Sequence, residues 1–398
     1  MSFLDVIIVI VKSLIVALAA TTLFAYFTLF ERRLLARFQH RIGPNRAGPG
    51  GLLQPLADAV KLFVKETIVP DKADRWVYLV SPAFAVIPAI IIWATIPLGY
   101  WPYGNGNWLQ VADVSVGILY LLAITSLGVY GIAIAGWASN NKYSMLGGVR
   151  ASAQVISYEL AFGLSVLAVV MQAGTMSTSG VVVAQKGFWF IIPQFLGFVI
   201  FLVASTAEVV RAPFDLVEAE QELVGGYNTE YGSMNFALFF MSEYIKLVAM
   251  NAIAVTLFFG GWNFPGLDTL RDGLSGIAGP AIGLAVAGLA SLGAFLLKVT
   301  VLSFLSVWIR ATIPRTRYDQ LMHLGWKVLL PLALFNVILT AVVNVLVPDN
   351  RWIAGLILFV IGVITLAVVT SRGGPRVPTN EITLVSNRVQ TAGEQTGA

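Results

Sequence analysis

Six carboxylic acids and a single arginine, Arg211, fall within the 24 residues from Glu208 to Tyr231. The acids are Glu208, Asp215, Glu218, Glu220, Glu222 and Glu230. Carboxylates about 7 Å apart, at an effective dielectric near 20, repel each other by roughly 2 kcal/mol, so a packed group cannot be fully ionised. One or more should hold a proton near neutral pH. Phe214 and Leu216 interleave with the acids, which favours a segment that folds back into the protein; a plain solvated loop is the alternative.

A second polar segment runs from Glu31 to Arg75. Its glycine and proline residues at 43–51 predict irregular backbone, and Pro55 suits the first turn of a following helix. In that helix the apolar residues Leu56, Val60, Phe63 and Val64 lie opposite the charged residues Asp58, Lys61 and Lys65. This pattern predicts an amphipathic helix on the membrane surface. A simple anchor for anionic lipid also explains Arg32, Arg33 and Arg37, but it leaves the glycine and proline block unexplained.

A third polar segment, Arg310 to Leu321, carries the guanidinium groups of Arg310, Arg315 and Arg317. Two interpretations stay open. The guanidinium groups pair with the acidic segment, or they orient a polar head group by hydrogen bonds, for which a planar guanidinium is well suited.

Four further ionisable residues, Glu159, Glu243, Lys246 and Lys298, lie within apolar runs. Such groups cost several kcal/mol at membrane depth and normally face a bundle interior, a partner charge or a water path. Glu243 and Lys246 are three residues apart, so an intrahelical ion pair is one explanation. Glu159 has no local partner. Lys298 lies near enough to a helix end to extend towards the interface.

Several kinds of chemistry are excluded. The chain has no cysteine, hence no protein-ligated iron–sulfur cluster, disulfide or thiol nucleophile. Its two histidines, His40 and His323, fall in predicted loops, which disfavours haem ligation. Gly104-Asn105-Gly106 lacks the third glycine and the strand–helix context of a dinucleotide fingerprint. We therefore expect no cofactor and no metal bound by this chain alone.

The elements that position these residues are membrane helices. Hydrophobic residues make up 57% of the chain and charged residues 12%, with a mean hydropathy of +0.81. Apolar runs of about 20 residues are long enough to cross a hydrocarbon core roughly 30 Å thick. The sequence predicts an all-α, polytopic membrane protein with nine spans, at 5–30, 76–98, 113–137, 151–174, 188–209, 236–259, 280–308, 326–347 and 352–371.

Lysine and arginine are distributed unevenly among the loops. The loops on one side, together with the C-terminal segment, carry 18 of them, and those on the other side carry 3. By the positive-inside rule the N-terminus is outside and the C-terminus cytoplasmic. We expect one transmembrane domain, 1–371, with its polar segments 31–75, 210–235 and 309–325 on the cytoplasmic face, and a polar tail at 372–398. The first run, about 25 residues long and ending at Glu31, is kept as a helix because it is too long for a signal peptide.

Three strings resemble signatures of the H-subunit family of NADH-quinone oxidoreductase, the respiratory complex I. They are Arg41-Ile42-Gly43-Pro44-Asn45-Arg46 with the helix from Gln54, Arg211-Ala212-Pro213-Phe214-Asp215-Leu216 with the acids after it, and Arg310-Ala311-Thr312-Ile313-Pro314-Arg315. The similarity covers roughly residues 10 to 345. The last span and the tail lie beyond it.

The resemblance implies a membrane subunit, not catalytic alone, that forms much of a quinone tunnel and begins a carboxylate proton route. The quinone-binding residues it implies are Glu31, Arg32, Arg41, Asp58, Lys61, Arg211, Arg310 and Arg315. The proton route would comprise Glu159, Glu208, Glu218, Glu220, Glu222 and Glu243, with Arg150 nearby. Expected partners are the other membrane-arm and hydrophilic-arm subunits, quinone as substrate and membrane lipid, with no nucleic acid. The location implied is the cell inner membrane.

Two alternatives remain at this point. One is the homologous membrane subunit of an energy-converting hydrogenase or formate hydrogenlyase, which lacks a quinone site; the complete string from Arg41 to Arg46 argues against it. The other is a secondary transporter that uses Glu159 and Glu243 as ion sites, for which matching broken helices are expected and none is evident.

Overall fold

The computed structural model describes residues 3–103, 106–107, 109–216, 224–348 and 350–372. Within these ranges the chain forms thirteen α-helices and one antiparallel pair of two-residue strands. The strands are β1 (Pro102–Tyr103) and β2 (Gly106–Asn107). The helices are α1 (Phe3–Phe38), α2 (Gln54–Val64), α3 (Arg75–Ile91), α4 (Gly117–Ala138), α5 (Lys142–Ala173), α6 (Thr178–Ala184), α7 (Phe195–Glu208), α8 (Ser233–Phe258), α9 (Leu267–Ala278), α10 (Pro280–Thr312), α11 (Tyr318–His323), α12 (Leu330–Leu346) and α13 (Arg351–Arg372). The predicted all-α membrane fold is confirmed.

Eight helical stretches in the described part of the chain are long and apolar enough to cross a membrane. They are α1, α3 with its 3₁₀ extension to Thr95, α4, α5, α8, α10, α13 and the continuous run Tyr318–Leu346, in which a π-helical turn joins α11 to α12. All eight coincide with predicted spans.

The fifth predicted span, 188–209, is wrong in its extent. Helix α7 begins only at Phe195 and has 14 residues, fewer than the roughly 20 that a full crossing needs. The residues before it form turns held by the protein: the backbone N–H of Phe190 donates to Gln185 (3.2 Å) and that of Ile191 to Phe258 (2.8 Å). Pro193, which has no backbone N–H, stands just before the helix.

Three helical stretches extend well beyond their predicted spans at the end of the bundle that carries segments 31–75, 210–235 and 309–325, here called the inner end; one of them is the run from Tyr318, which begins before the predicted residue 326. Helix α1 continues through its arginines to Phe38, because charged residues with long side chains are good helix formers. Helix α5 begins nine residues earlier than predicted, where the Asn141 side chain accepts a hydrogen bond from the backbone N–H of Tyr143 (2.9 Å).

Helix α8 lies at the centre of the hydrophobic core. Most of its residues are buried, and Phe258 packs edge-on against Phe201 of α7, with ring centroids 5.4 Å apart. Helix α1 is peripheral by comparison, since Leu14, Ile15 and Leu18 are about 60% exposed. In a membrane such a face contacts lipid or a partner subunit.

Helix α2 confirms the predicted amphipathic helix. It buries no residue, and Leu56, Val60, Phe63 and Val64 are all more than half exposed. The Asp58 side of the helix faces α1 through an ion pair with Arg32.

Helix α13, the last predicted span, packs against the short helix α7. Phe359 meets Phe195 edge-on at 5.5 Å, and Trp352 lies 4.3 Å from Phe188 in the turns before α7. A Cβ at Gly362 would approach Leu196 to 3.2 Å, so glycine allows this close contact. The tail from 373 to 398 lies outside the described residues.

Candidate functional site

The Arg32 and Asp58 side chains form an ion pair of 2.7 Å between α1 and α2. The Gln54 amide also donates to Asp58 (3.1 Å). Lys61 lies one turn further along α2 and is exposed. Arg41 was predicted to belong with these residues, but it lies apart from them. It lines a cavity of about 680 Å³ together with Tyr26 and Arg33 among others. Its Nε donates a hydrogen bond to Gln39 (2.7 Å).

Glu31 and Arg310 form a second ion pair, which connects α1 to α10. Glu31 is buried at 3% exposure, and its Oε2 has no hydrogen-bond partner among the described residues. One turn before Glu31, Phe27 packs edge-on against Tyr244 of α8 (5.8 Å). A buried carboxylate with an unused oxygen can accept a bond from a head group or a water.

Arg211 follows α7 and is buried against α8. Its guanidinium carbon lies 3.9 Å from the ring centroid of Tyr244, and its Nη2 is 3.6 Å from the Glu243 carboxylate. Burial opposes its charge, but the surrounding side chains, Glu243 and Glu31 among them, raise the pKa of Arg211 above its ordinary value. Nε and Nη2 have no hydrogen-bond partner in the described structure. Arg211 is therefore a permanently charged group between Glu31 and Glu243.

Lys246 of α8 places its ammonium nitrogen 3.0 Å from the carboxylate of Glu208, the last residue of α7. Glu208 is 2% exposed. Glu243, one turn before Lys246, contacts Arg211 and accepts a hydrogen bond from the Tyr227 hydroxyl (2.9 Å). The sequence suggested an ion pair within α8, but packing instead provides each of these residues with a partner from the chain segments around α8.

Glu159 of α5 accepts a hydrogen bond from the Ser126 hydroxyl of α4. It also lies close enough to Glu208 to act on it electrostatically. Arg150, near the start of α5, places its guanidinium carbon 5.2 Å from the ring centroid of Tyr318. Ion pairs thus join Glu208 to Lys246 and Arg211 to Glu243, and Glu159 lies close enough to Glu208 to belong to the same region.

The third polar segment contacts the acidic one directly. Arg315 pairs with Asp215 at 3.3 Å, and the backbone N–H of Thr316 donates to Pro213 (3.1 Å). This supports the ion-pairing interpretation for Arg315, whereas Arg310 pairs with Glu31.

Both ends of the acidic segment fold into the protein, as predicted. Leu216 and Tyr227 are 1% exposed, and the carboxylate of Glu230 accepts a hydrogen bond from Asn141 (2.6 Å). Glu218, Glu220 and Glu222 were predicted for the proton route, but they lie in 217–223, outside the described residues.

Several tyrosines belong to this region although the sequence did not single them out. Tyr244 lies between Arg211 and Phe27, and Tyr227 contacts Glu243. Tyr231 stacks on Tyr78 at 4.2 Å, and burial raises the pKa of Tyr231 to about 12, so its hydroxyl stays protonated. Aromatic residues in apolar runs resemble core residues; the one available signal was that Tyr244 directly follows Glu243.

Known proteins match most of the chain. A family model described as NADH dehydrogenase matches residues 11–341. An H subunit of the NADH-quinone oxidoreductase of Geobacter metallireducens, numbered 1, is 48% identical over 339 residues, which are 85% of this chain and 96% of that protein. The chain belongs to the H-subunit family of NADH-quinone oxidoreductase. The H subunit of Rhodospirillum rubrum is 49% identical over 84% of this chain and 93% of its own length, and that of Deinococcus deserti is 50% identical over 85% and 84%.

As a member of this family, the chain is a multi-pass membrane subunit of the NADH:quinone oxidoreductase complex, with other subunits of that complex as partners. The family match favours the quinone-linked interpretation over the hydrogenase and transporter alternatives. The matched residues agree with the predicted extent of 10 to 345. Helix α13 begins ten residues after the match ends.

Proposed function

We propose that this chain forms much of the quinone-binding tunnel of the complex and the first part of its carboxylate proton route. One observation carries the proposal: a series of buried and half-buried ionisable groups extends from α1 to α5 at the inner end. They are the Glu31–Arg310 pair, Arg211, Glu243, Lys246, Glu208 and Glu159. Such groups are costly at membrane depth and normally mark a functional path.

The quinone side of this path comprises Glu31 with Arg310 and, at its membrane surface, Arg32 with Asp58. The isoprenoid tail needs apolar walls, and the head needs a few polar groups that fix its orientation. Phe24, Phe27 and Tyr244 supply aromatic walls next to Glu31. Arg41, Lys61, Arg211 and Arg315 complete the proposed quinone-binding set.

The proton side comprises Glu243, Glu208 and Glu159. By family resemblance, Glu218, Glu220 and Glu222 belong to the same route. Reduction of a quinone to a quinol consumes two electrons, delivered by other subunits, and two protons. Protons taken up at the head change the charge balance around Glu31, and Arg211 carries that change electrostatically to Glu243, since charges interact strongly where water is excluded.

The complex would lie in the cell inner membrane, with the N-terminus of this subunit outside, the inner end cytoplasmic and lipid around the helices. Ubiquinone or menaquinone would be the substrate. This chain would bind no cofactor of its own.

The test uses the assembled complex with Glu31→Gln or Glu208→Gln. Each substitution removes one buried charge and preserves side-chain shape. We expect NADH:quinone turnover and proton translocation to fall together by about a hundredfold, the lower limit of what one acid–base group typically contributes. NADH oxidation by ferricyanide, which does not need the quinone site, should persist.

Glu66→Gln serves as the control, since Glu66 is an exposed acid of the same inner region. Wild-type quinone turnover and pumping in both Glu31→Gln and Glu208→Gln would refute the proposal. Equal loss of the quinone and ferricyanide activities would also refute it.

A further inference from the structure

Lys246 of α8 is a cation in the part of the proposed proton route that contains Glu208 and Glu243. Lys246 lies 3.0 Å from the Glu208 carboxylate, and its ammonium is 3.5 Å from the backbone oxygen of the same residue. Glu243 is three residues earlier on α8, on the same helix face. The ammonium group thus pairs with Glu208, and the next carboxylate of the proposed route, Glu243, lies on the same face of its helix.

A small cavity lies at this point of the structure. Its volume is about 30 Å³, and its lining includes Glu208, Glu243, Lys246 and Ser242. A water needs roughly 10–15 Å³ measured in this way and two to four polar partners. The cavity therefore has room for one or two waters among these residues.

Gly128 of α4 forms part of the same wall. A Cβ at this position would lie 4.0 Å from the Lys246 nitrogen, and no other atom would be within that distance. A larger residue would fill the space beside the ammonium, so glycine leaves the end of the lysine side chain free to move. The four-carbon stem of lysine gives the charge that mobility, which a stacked guanidinium such as Arg211 lacks.

The charge balance of this group depends on Lys246. Glu159, Glu208 and Glu243 supply three potential negative charges, while Arg211 and Lys246 supply two positive ones. Without Lys246, the Glu208 carboxylate, 1% exposed at its side chain, would have no cation in the described structure within ion-pair distance. A buried carboxylate without a cation becomes neutral by taking up a proton.

We propose that Lys246 is a positioning residue of the proton route, whose ammonium keeps Glu208 ionised and moves towards Glu243 when Glu208 takes up a proton. Lys246 keeps its three protons throughout. The proton that neutralises Glu208 comes from the route itself and leaves along it, and the ion pair then forms again. The proposal rests on the function proposed above for Glu208 and Glu243.

The test compares Lys246→Met, Lys246→Arg, Glu208→Gln and the double variant Lys246→Met/Glu208→Gln in the intact complex. Lys327→Met, which removes an exposed lysine, is the control. Quinone turnover is measured from pH 5.5 to 9, and ferricyanide reduction is the measure of assembled enzyme. We expect Lys246→Met to lose about tenfold or more in quinone turnover, because Glu208 then holds a proton and one acid–base group of the route is disabled.

The pH profile separates this role from a merely structural one. In Lys246→Met, Glu208 is ionised only at higher pH, so the optimum should shift to alkaline values. Lys246→Arg keeps the charge and should keep the wild-type optimum. The double variant buries no unpaired charge, so it should turn over no more slowly than Glu208→Gln alone, with the same profile.

Three outcomes would overturn the proposal. Wild-type turnover in Lys246→Met, with Glu208→Gln slow, removes Lys246 from the route and leaves the proposed function intact. Wild-type turnover in Glu208→Gln itself refutes Glu208 as a route member, and the inference falls with it. If the double variant loses quinone turnover by the product of the two single fold-losses, Lys246 acts independently of Glu208. If Lys246→Met does not assemble, the double variant and Lys246→Arg decide the same question.

Discussion

The two ends of α8 both lie beside buried polar groups, but these groups are hydrogen-bonded to different degrees. At the outer end, opposite the inner end, the Lys298 ammonium donates to the backbone oxygens of Phe259 (2.9 Å), Gly261 (2.9 Å) and Asn263 (2.6 Å). An ammonium has three donors, and here each one is used.

Gln185, also at the outer end, likewise uses both donors and the acceptor of its side-chain amide in hydrogen bonds. Its amide donates to Val181 (3.3 Å) and Thr256 (2.9 Å), and its oxygen accepts from the backbone N–H groups of Phe190 (3.2 Å) and Gly260 (2.9 Å). At the inner end, by contrast, Glu31 Oε2 and Arg211 Nε make no direct hydrogen bond among the described residues, and Tyr244 is the polar side chain that interacts with both residues.

For Lys298 and Gln185 compared with Glu31 and Arg211, this difference parallels the structural and functional roles that we propose for them; Trp262 Nε1 at the outer end also makes no hydrogen bond among the described residues. A fully hydrogen-bonded group fixes a loop in one conformation. A buried group with unused donors or acceptors is costly unless something else binds it, and a quinone head, a water or a moving proton is a suitable partner. Three substitutions test this distinction.

The largest effect is expected at the outer end, from Lys298→Met. Three backbone oxygens lose their donor, at a cost of about 1–3 kcal/mol for each one that stays without a hydrogen bond. The amount of assembled complex and its thermal inactivation midpoint should both fall, while turnover per assembled complex stays at the wild-type level. Native electrophoresis with activity staining measures the amount of assembled complex, and the same measurement after heating to a series of temperatures gives the inactivation midpoint. Normal assembly with reduced turnover would mean that Lys298 acts in turnover and not in stability, and it would contradict the proposed difference between the two ends of α8.

An intermediate effect is expected at the inner end from Arg211→Lys. The charge remains, but the planar contact with the Tyr244 ring is lost, which is worth about 1–2 kcal/mol in a dry site. Quinone turnover should fall by about tenfold with near-normal assembly and ferricyanide activity. If Arg211→Lys instead lowers the amount of assembled complex as strongly as Lys298→Met, the two ends do not differ in the way proposed.

The smallest effect on stability is expected from Asp58→Asn, because the Arg32–Asp58 pair is partly exposed to solvent. Such pairs contribute about 0–1 kcal/mol. The thermal midpoint should barely change, while quinone turnover falls or the concentration of a quinone-site inhibitor needed for half-inhibition shifts. Asp71→Asn, at an exposed acid of the same segment, is the control. Parallel loss of quinone and ferricyanide activity would indicate a structural role for Asp58.

The order of the membrane helices could be predicted because hydropathy and length are local properties of the sequence. The same locality explains the error at 188–209. The run there is continuously apolar, and only tertiary contacts, such as those of Gln185 and Phe258 with the turns before Phe195, show that its first part is not helical.

The sequence predicted which ionisable residues belong to the candidate site, but it did not predict which of them form ion pairs with each other. Glu243 and Lys246 are neighbours in sequence, so an intrahelical pair was the natural hypothesis; the actual partners, Arg211 and Glu208, come from the end of α7 and the residues after it. Tyr244 was missed because an aromatic residue in an apolar run predicts packing. Its contact with Arg211 exists only once α7 and α8 have packed together.

Helix α2 has a consequence for how the protein responds to its bilayer. Its exposed apolar side chains gain roughly 1.5–3 kcal/mol each when hydrocarbon covers them, so the depth of the helix follows the position of the acyl chains. Asp58 on its other side is tied to Arg32 of α1. A thinner or more curved membrane therefore pulls on that ion pair through hydrophobic mismatch, and the width of the cavity that Tyr26, Arg33 and Arg41 line beside α1 becomes a function of lipid thickness.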